Sequence, residues 1–148
     1  MSTFRNWKKP EYGWLKANFD AALDEQNCVV GLGIIIRNCE REFVAAYSEP
    51  QKMKAKAVVA EAIALRRTIE ICIEMCFNRV VFEGDALIII NDVKDNVECW
   101  TWYGQVVEDV KRSLEEMLHW ELQFVCREGN MIAHKLARYA LNLENFTC

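Results

Sequence analysis

Residues 14–23 read WLKANFDAAL, with Leu15, Ala17, Phe19 and Ala21 alternating with Lys16, Asn18 and Asp20. A period of two sends successive side chains to opposite faces of a strand. One face of this strand is apolar and the other polar, and Asp20 projects from the polar side.

Two later segments carry acids that can converge on Asp20. In VVAEAIALRR, Glu61 lies three residues after Val58 and four before Leu65, so on a helix it shares an apolar stripe. In RVVFEGDALIII, Asp85 follows a β-branched and aromatic run and precedes a helical pattern. That places it at the carboxyl end of a strand, where open α/β sheets build their sites. Three carboxylates from a strand, a helix and a strand end make a divalent-metal site, and oxygen-only ligands suit Mg²⁺ or Mn²⁺. Each residue also has an ordinary alternative. Asp20 can be an exposed strand polar, Glu61 the edge of a stripe, and Asp85 the N-cap of a helix beginning at Ala86.

Around these residues the pattern predicts an α/β domain over 14–142, with a lead-in segment at 1–13 and a tail at 143–148. The first strand is followed by the polar turn DEQN, then by CVVGLGIIIRN, a nearly continuous apolar run that suggests a strand covered on both faces. Gly31 and Gly33 have no third glycine opening a helix, so they make no dinucleotide loop, and no small-molecule cofactor is expected. REFVAAYSEP closes an antiparallel meander of three strands. An uninterrupted helical pattern then runs over 54–76. A fourth strand, a short helix over 86–93, an irregular connection and a helix from Gln105 follow. HWELQFVCRE alternates as strand five, with Trp120, Leu122, Phe124 and Cys126 on one side. Asn130 is a suitable N-cap for a last helix through Leu141. The order βββαβααβα, with right-handed crossovers, implies a five-stranded mixed sheet with helices on both faces.

Composition sets limits on function. The chain has 148 residues, is 52% hydrophobic and carries a formal net charge of −4. One domain with a real core is expected, and the acidic balance opposes a strongly basic nucleic-acid binder. Basic residues are clustered, however: Lys52, Lys54 and Lys56 precede the helix of Glu61, and Arg127, Lys135 and Arg138 flank the last helical motif. No apolar run approaches the ~18 residues of a membrane span. Residues 1–10, MSTFRNWKKP, contain no signal-peptide core, so an intracellular, non-secreted protein of nucleus or cytoplasm is expected, with no membrane partner. Seven cysteines without paired CxxC spacing indicate reduced thiols.

NFDAAL, AEAIALRRTIE, FEGDAL and REGNMIAHKLARYAL resemble, in order, the four motifs of the type I ribonuclease H fold. They look most like the plant branch associated with non-LTR retroelement reverse transcriptases, whose opening the series Trp7, Pro10, Gly13, Lys16, Asn18 and Asp20 also resembles. The resemblance implies a ribonuclease H-like fold and a monomeric endonuclease that cleaves the RNA strand of RNA/DNA hybrids, its carboxylates holding two divalent ions ~4 Å apart. It places Asp20, Glu61 and Asp85 as metal ligands and puts His134 where many relatives carry a fourth aspartate. A neutral imidazole ligates Mn²⁺ better than hard Mg²⁺, so a weakened, manganese-leaning second site is expected. The alternative is a surface histidine without metal contact. Glu83 is a supplementary ligand candidate. Asn18, Asn130, and the backbone near Ala21 and Gly31 are candidates for contact with ribose hydroxyls, with Lys54, Lys56 and Arg127 for phosphate. Arg127 or Glu128 is the nearest substitute for the family's mobile histidine. The family's basic protrusion is missing. Trp100, Trp102 and Tyr103 can stack on bases, though packing is the commoner use of such a cluster. The rival function is a retroelement-derived interaction module that keeps the fold without catalysis. A third class is another nuclease or recombinase of this fold.

Overall fold

The computed structural model describes residues 7–143; the first six residues of the lead-in and residues 144–148 of the tail lie outside the described residues. The meander forms as β1 (Leu15–Asp24), β2 (Val29–Arg37) and β3 (Phe43–Lys52), followed by α1 (Ala57–Glu74), β4 (Arg79–Gly84), α2 (Leu87–Lys94), α3 (Gly104–Leu114), β5 (His119–Phe124), a 3₁₀ turn (Arg127–Asn130) and α4 (Met131–Leu143). The sheet has the order β3-β2-β1-β4-β5. β1, β2 and β3 pair antiparallel, while β4 runs parallel to β1 and to β5. The central strand is therefore the one that carries Asp20.

Alternation in β1 has an outcome different from one dry and one wet face. Ala17 and Phe19 enter the main core with Leu65, Ile69 and Phe82, beneath α1, α2 and α3. Lys16, Asn18 and Asp20, on the other face, are also buried, at 4%, 0% and 0% exposure. A central strand with helices on both sides has no solvated face, so its polar residues must find partners inside.

β2 is buried along its whole length, as its continuous apolar run predicts. Its two glycines have one purpose. A Cβ on Gly31 would meet the Ala137 carbonyl oxygen at 2.1 Å, and one on Gly33 the Ala133 carbonyl oxygen at 2.0 Å. Ala133, Ala137 and Ala140 form the facing stripe of α4, all fully buried. Helix backbone thus lies directly on strand backbone. The room expected at Gly31 for a substrate is taken by α4.

Three boundaries differ from the sequence pattern. Helix α1 starts at Ala57, so Lys54 and Lys56 lie in the preceding loop. β5 ends at Phe124, and only Leu122 of its expected inward set is buried; Trp120 and Phe124 stay exposed because β5 is a sheet edge. Asn130 belongs to the 3₁₀ turn and does not cap α4, because its side chain is used in the interior. Cys28, Cys39, Cys72, Cys76 and Cys99 are thiols outside any disulfide. Among the described residues, no helix is long and apolar enough to cross a membrane.

Candidate metal centre

Strand order alone brings two of the acids together. Asp20 lies past the point where β1 pairs with β4, and Asp85 follows Gly84 at the end of that same β4. Gly84 fits because a Cβ there would meet the Phe19 ring at 2.6 Å, so strand and ring pack tightly beneath Asp85. Helix α1 crosses β1 and supplies Glu61. Ligand oxygens of Asp20, Glu61 and Asp85 lie within 4.8 Å of one another. Asp85 does not cap the next helix: Ala86 holds that position with no side-chain bond.

The electrostatics of the cluster are compatible with a cation. Asp20 Oδ1 and Glu61 Oε1 are buried without a hydrogen-bond donor. Burial pushes the Glu61 carboxyl up to about 10, with the charge of Asp20, a hydrogen bond shared with it and the charge of Asp85 acting in the same direction. Asp85 is raised as well, first by burial and then by Asp20, while Arg127 opposes the shift. An all-oxygen donor set with two unpartnered, buried oxygens fits a hard divalent ion, which would be held by Asp20, Glu61 and Asp85.

His134 stands beside this set. Its Nδ1 is 2.8 Å from Asp20 Oδ2. Arg127 completes a ring of contacts: its Nε donates to Asp85 Oδ2 at 2.6 Å, and its Nη1 lies 3.2 and 3.3 Å from the two imidazole nitrogens. The sequence suggests Arg127 as a phosphate contact; in the structure it also bridges Asp85 and His134.

Beneath the cluster is a buried polar layer that the sequence does not disclose. Asn18 donates to Glu83 Oε1 and Asn130 Oδ1, both at 3.0 Å, and accepts from Trp7 Nε1 at 2.9 Å and Arg37 Nη2 at 3.1 Å. Asn130 Nδ2 donates to the Phe19 carbonyl at 2.9 Å. Glu83 pairs with Lys16 Nζ at 3.3 Å and accepts from Gln123. Arg37 stacks on the Trp7 ring at 4.0 Å, and burial lowers its guanidinium to about 10. Three sequence-level expectations change accordingly. Asn18 and Asn130 are interior pillars, 0% and 1% exposed, with no surface left for ribose. Glu83 is an ion-pair partner of Lys16 and lies outside the acid cluster. The alternation Lys16, Asn18, Asp20 is the one available signal for this layer, through the polar residues spaced evenly along a strand that has no wet face.

Nucleic-acid candidates outside the interior have mixed placements. Ala21 packs at the rim of the core. Lys54 and Lys56 are exposed and line a cleft of about 480 Å³ with Leu23, Glu25, Met53 and Trp102. Trp100 and Trp102 are exposed, contrary to a packing role, and Trp102 meets Tyr103 edge to face.

A family described as reverse transcriptase-like matches residues 18–140. Among solved structures, RNase H1 from the halophilic archaeon Halobacterium salinarum NRC-1 is similar with a TM-score of 0.79 and 20% identity, over 87% of this chain and 98% of that one. LC11-RNase H1, isolated from compost and solved in complex with an RNA/DNA hybrid, has a TM-score of 0.76 and 17% identity over 88% and 98% of the two chains. The PFV RNase H domain reaches 0.67 and 15% over 90% and 97%. No curated protein matches the chain. At these identities the structural likeness is one of fold.

Proposed function

The chain belongs to the reverse transcriptase-like family, and on that premise we propose that it is a metal-dependent endonuclease that cleaves the RNA strand of RNA/DNA hybrids. The observation that carries the proposal is the convergence of Asp20, Glu61 and Asp85, with two of their buried oxygens unpartnered. The hybrid complex of LC11-RNase H1 supports the substrate class. We also assign the chain to the plant, retroelement-associated branch, on the spacing of Trp7, Pro10, Gly13, Lys16, Asn18 and Asp20, and take it to act as an intracellular monomer.

Hydrolysis of a phosphodiester requires an in-line water and relief of charge at phosphorus, and bound Mg²⁺ or Mn²⁺ supplies both. The protein supplies position. Asp20 is fixed by a central strand whose floor is the Asn18 layer, and Glu61 by the long helix across it. Lys54 and Lys56, which share a cleft with Trp102, offer a charged and aromatic strip for a strand of the hybrid. His134 in its Nδ1–H form donates to Asp20 Oδ2 and keeps that carboxylate oriented.

The test is cleavage of a labelled RNA/DNA hybrid by the purified protein in Mg²⁺ and in Mn²⁺, with Asp20→Asn as control. We expect cleavage that falls by at least about a hundredfold in Asp20→Asn, the usual scale for loss of a central electrostatic group. Absence of cleavage by folded wild-type protein in either ion would favour the non-catalytic interaction module. One observation points that way: Asp85 is already bound by Arg127.

A further inference from the structure

We infer that Arg127 is a built-in cation of the acid cluster, standing where a second divalent ion would otherwise be drawn, so that the site holds one ion and one guanidinium. The inference rests on the metal-dependent function proposed above.

Three observations lead to it. First, among the described residues the cluster contains three carboxylates, and His134 of α4 lies outside it. Second, His134 is already committed. With its proton on Nδ1 it donates to Asp20 Oδ2 at 2.8 Å, and Arg127 Nη1, 3.2 and 3.3 Å from the two ring nitrogens, lies against the face of the ring. A guanidinium held against the imidazole opposes a second cation at its remaining nitrogen. Third, Arg127 contacts both a carboxylate of the cluster and the histidine beside it: its Nε lies 2.6 Å from Asp85 Oδ2 while its Nη1 lies against His134. The planar fork of a guanidinium suits such bridging, and it stays charged at every working pH.

Charge then decides the count. A second divalent ion needs additional negative charge, and in its place the chain puts a positive group on Asp85. Like charges at this separation repel strongly where water is partly excluded. Arg127 is also 54% exposed, so the outward part of its fork can meet a phosphate oxygen of a bound strand. It thus carries the charge-neutralising role of a second ion.

The test counts ions without using catalysis. Mn²⁺ binding is measured by calorimetry and by the paramagnetic resonance signal of free Mn²⁺. The proteins are wild type, Arg127→Gln, Arg127→Lys, His134→Asp and the double variant Arg127→Gln/His134→Asp, each checked for folding by circular dichroism. We expect one ion per chain in wild type, in Arg127→Lys and in His134→Asp, at least tenfold tighter binding in Arg127→Gln, and two ions only in the double variant. A second ion in wild type or in His134→Asp alone would overturn the inference while leaving the metal-dependent function intact. So would unchanged affinity in Arg127→Gln. Failure of wild type to bind any Mn²⁺ would remove that function, and the inference with it.

Discussion

A carboxyl pushed up to about 10, as Glu61 is, keeps its proton at neutral pH when the unfolded chain has released the same proton. Between the ordinary value of 4.5 and about 10 the folded state binds more protons, so its stability falls as pH rises through that window. Glu61→Gln removes this loss. In metal-free protein it should raise the melting temperature at pH 8 and leave it nearly unchanged at pH 4; an equal shift at both values would sink the explanation. Divalent binding must also displace the Glu61 proton. Apparent Mn²⁺ affinity should therefore rise with pH, by up to about tenfold per unit, with proton release visible as a calorimetric enthalpy that changes with the buffer. The same residue shows what a sequence conveys at this scale. Glu61 on an apolar stripe was legible as a buried acid. The division between Asp20 and Asn18 was not, because the two share one alternating face and the parallel neighbour β4 sends one to the cluster and the other to Glu83.

Elements succeed here by approaching closely. Gly33→Ala would set a Cβ 2.0 Å from the Ala133 carbonyl oxygen and 2.3 Å from the Ala137 nitrogen, both backbone atoms that cannot swing aside. The expected loss is about 1–3 kcal/mol, the range for overpacking, read from urea unfolding; a change under about 0.5 kcal/mol, the scale of an indifferent surface site, would contradict the packing described. The pairing of β1 with β4 depends on a different contact. Lys16 and Glu83 face each other at 3.3 Å with side chains only 5% and 4% exposed. Lys16→Met leaves the buried Glu83 charge with its amide donors from Asn18 and Gln123 but without its ion-pair partner, and should cost roughly 3–5 kcal/mol, whereas Lys16→Met with Glu83→Leu should recover much of it. Periodicity gave the strands and helices to within a few residues, because each buries one kind of face. It failed where tertiary pairing overrides a local preference: Asn130 is a good cap in isolation, but inside this fold its amide is needed at Asn18 and at the Phe19 carbonyl.

The whole molecule is acidic, with a net charge of −4, and its grip on nucleic acid must come from local strips. Lys54→Ala/Lys56→Ala should weaken hybrid binding at low salt. It should also flatten the dependence of log K on log salt, by roughly 0.7–0.9 for each phosphate that the variant no longer neutralises. Fluorescence anisotropy over a salt series checks this, and an unaltered slope would exclude the cleft by Trp102. The topology was legible because meander, crossover and helix order leave few arrangements of a mixed sheet, among which the resemblance to the ribonuclease H fold chooses one. The charge placement was not, since a lysine looks the same in sequence whether it faces a substrate or open solvent. The seating of α4 on Gly31 and Gly33 has a mechanical consequence. Backbone resting on backbone is nearly incompressible, so the spacing between His134 and the strand of Asp20 is rigid, whereas the opposite flank hangs on a short turn and a half-exposed arginine. The centre is stiff on one side and compliant on the other, and a strand that needs room will gain it on the side of Arg127, with helix and sheet left in place.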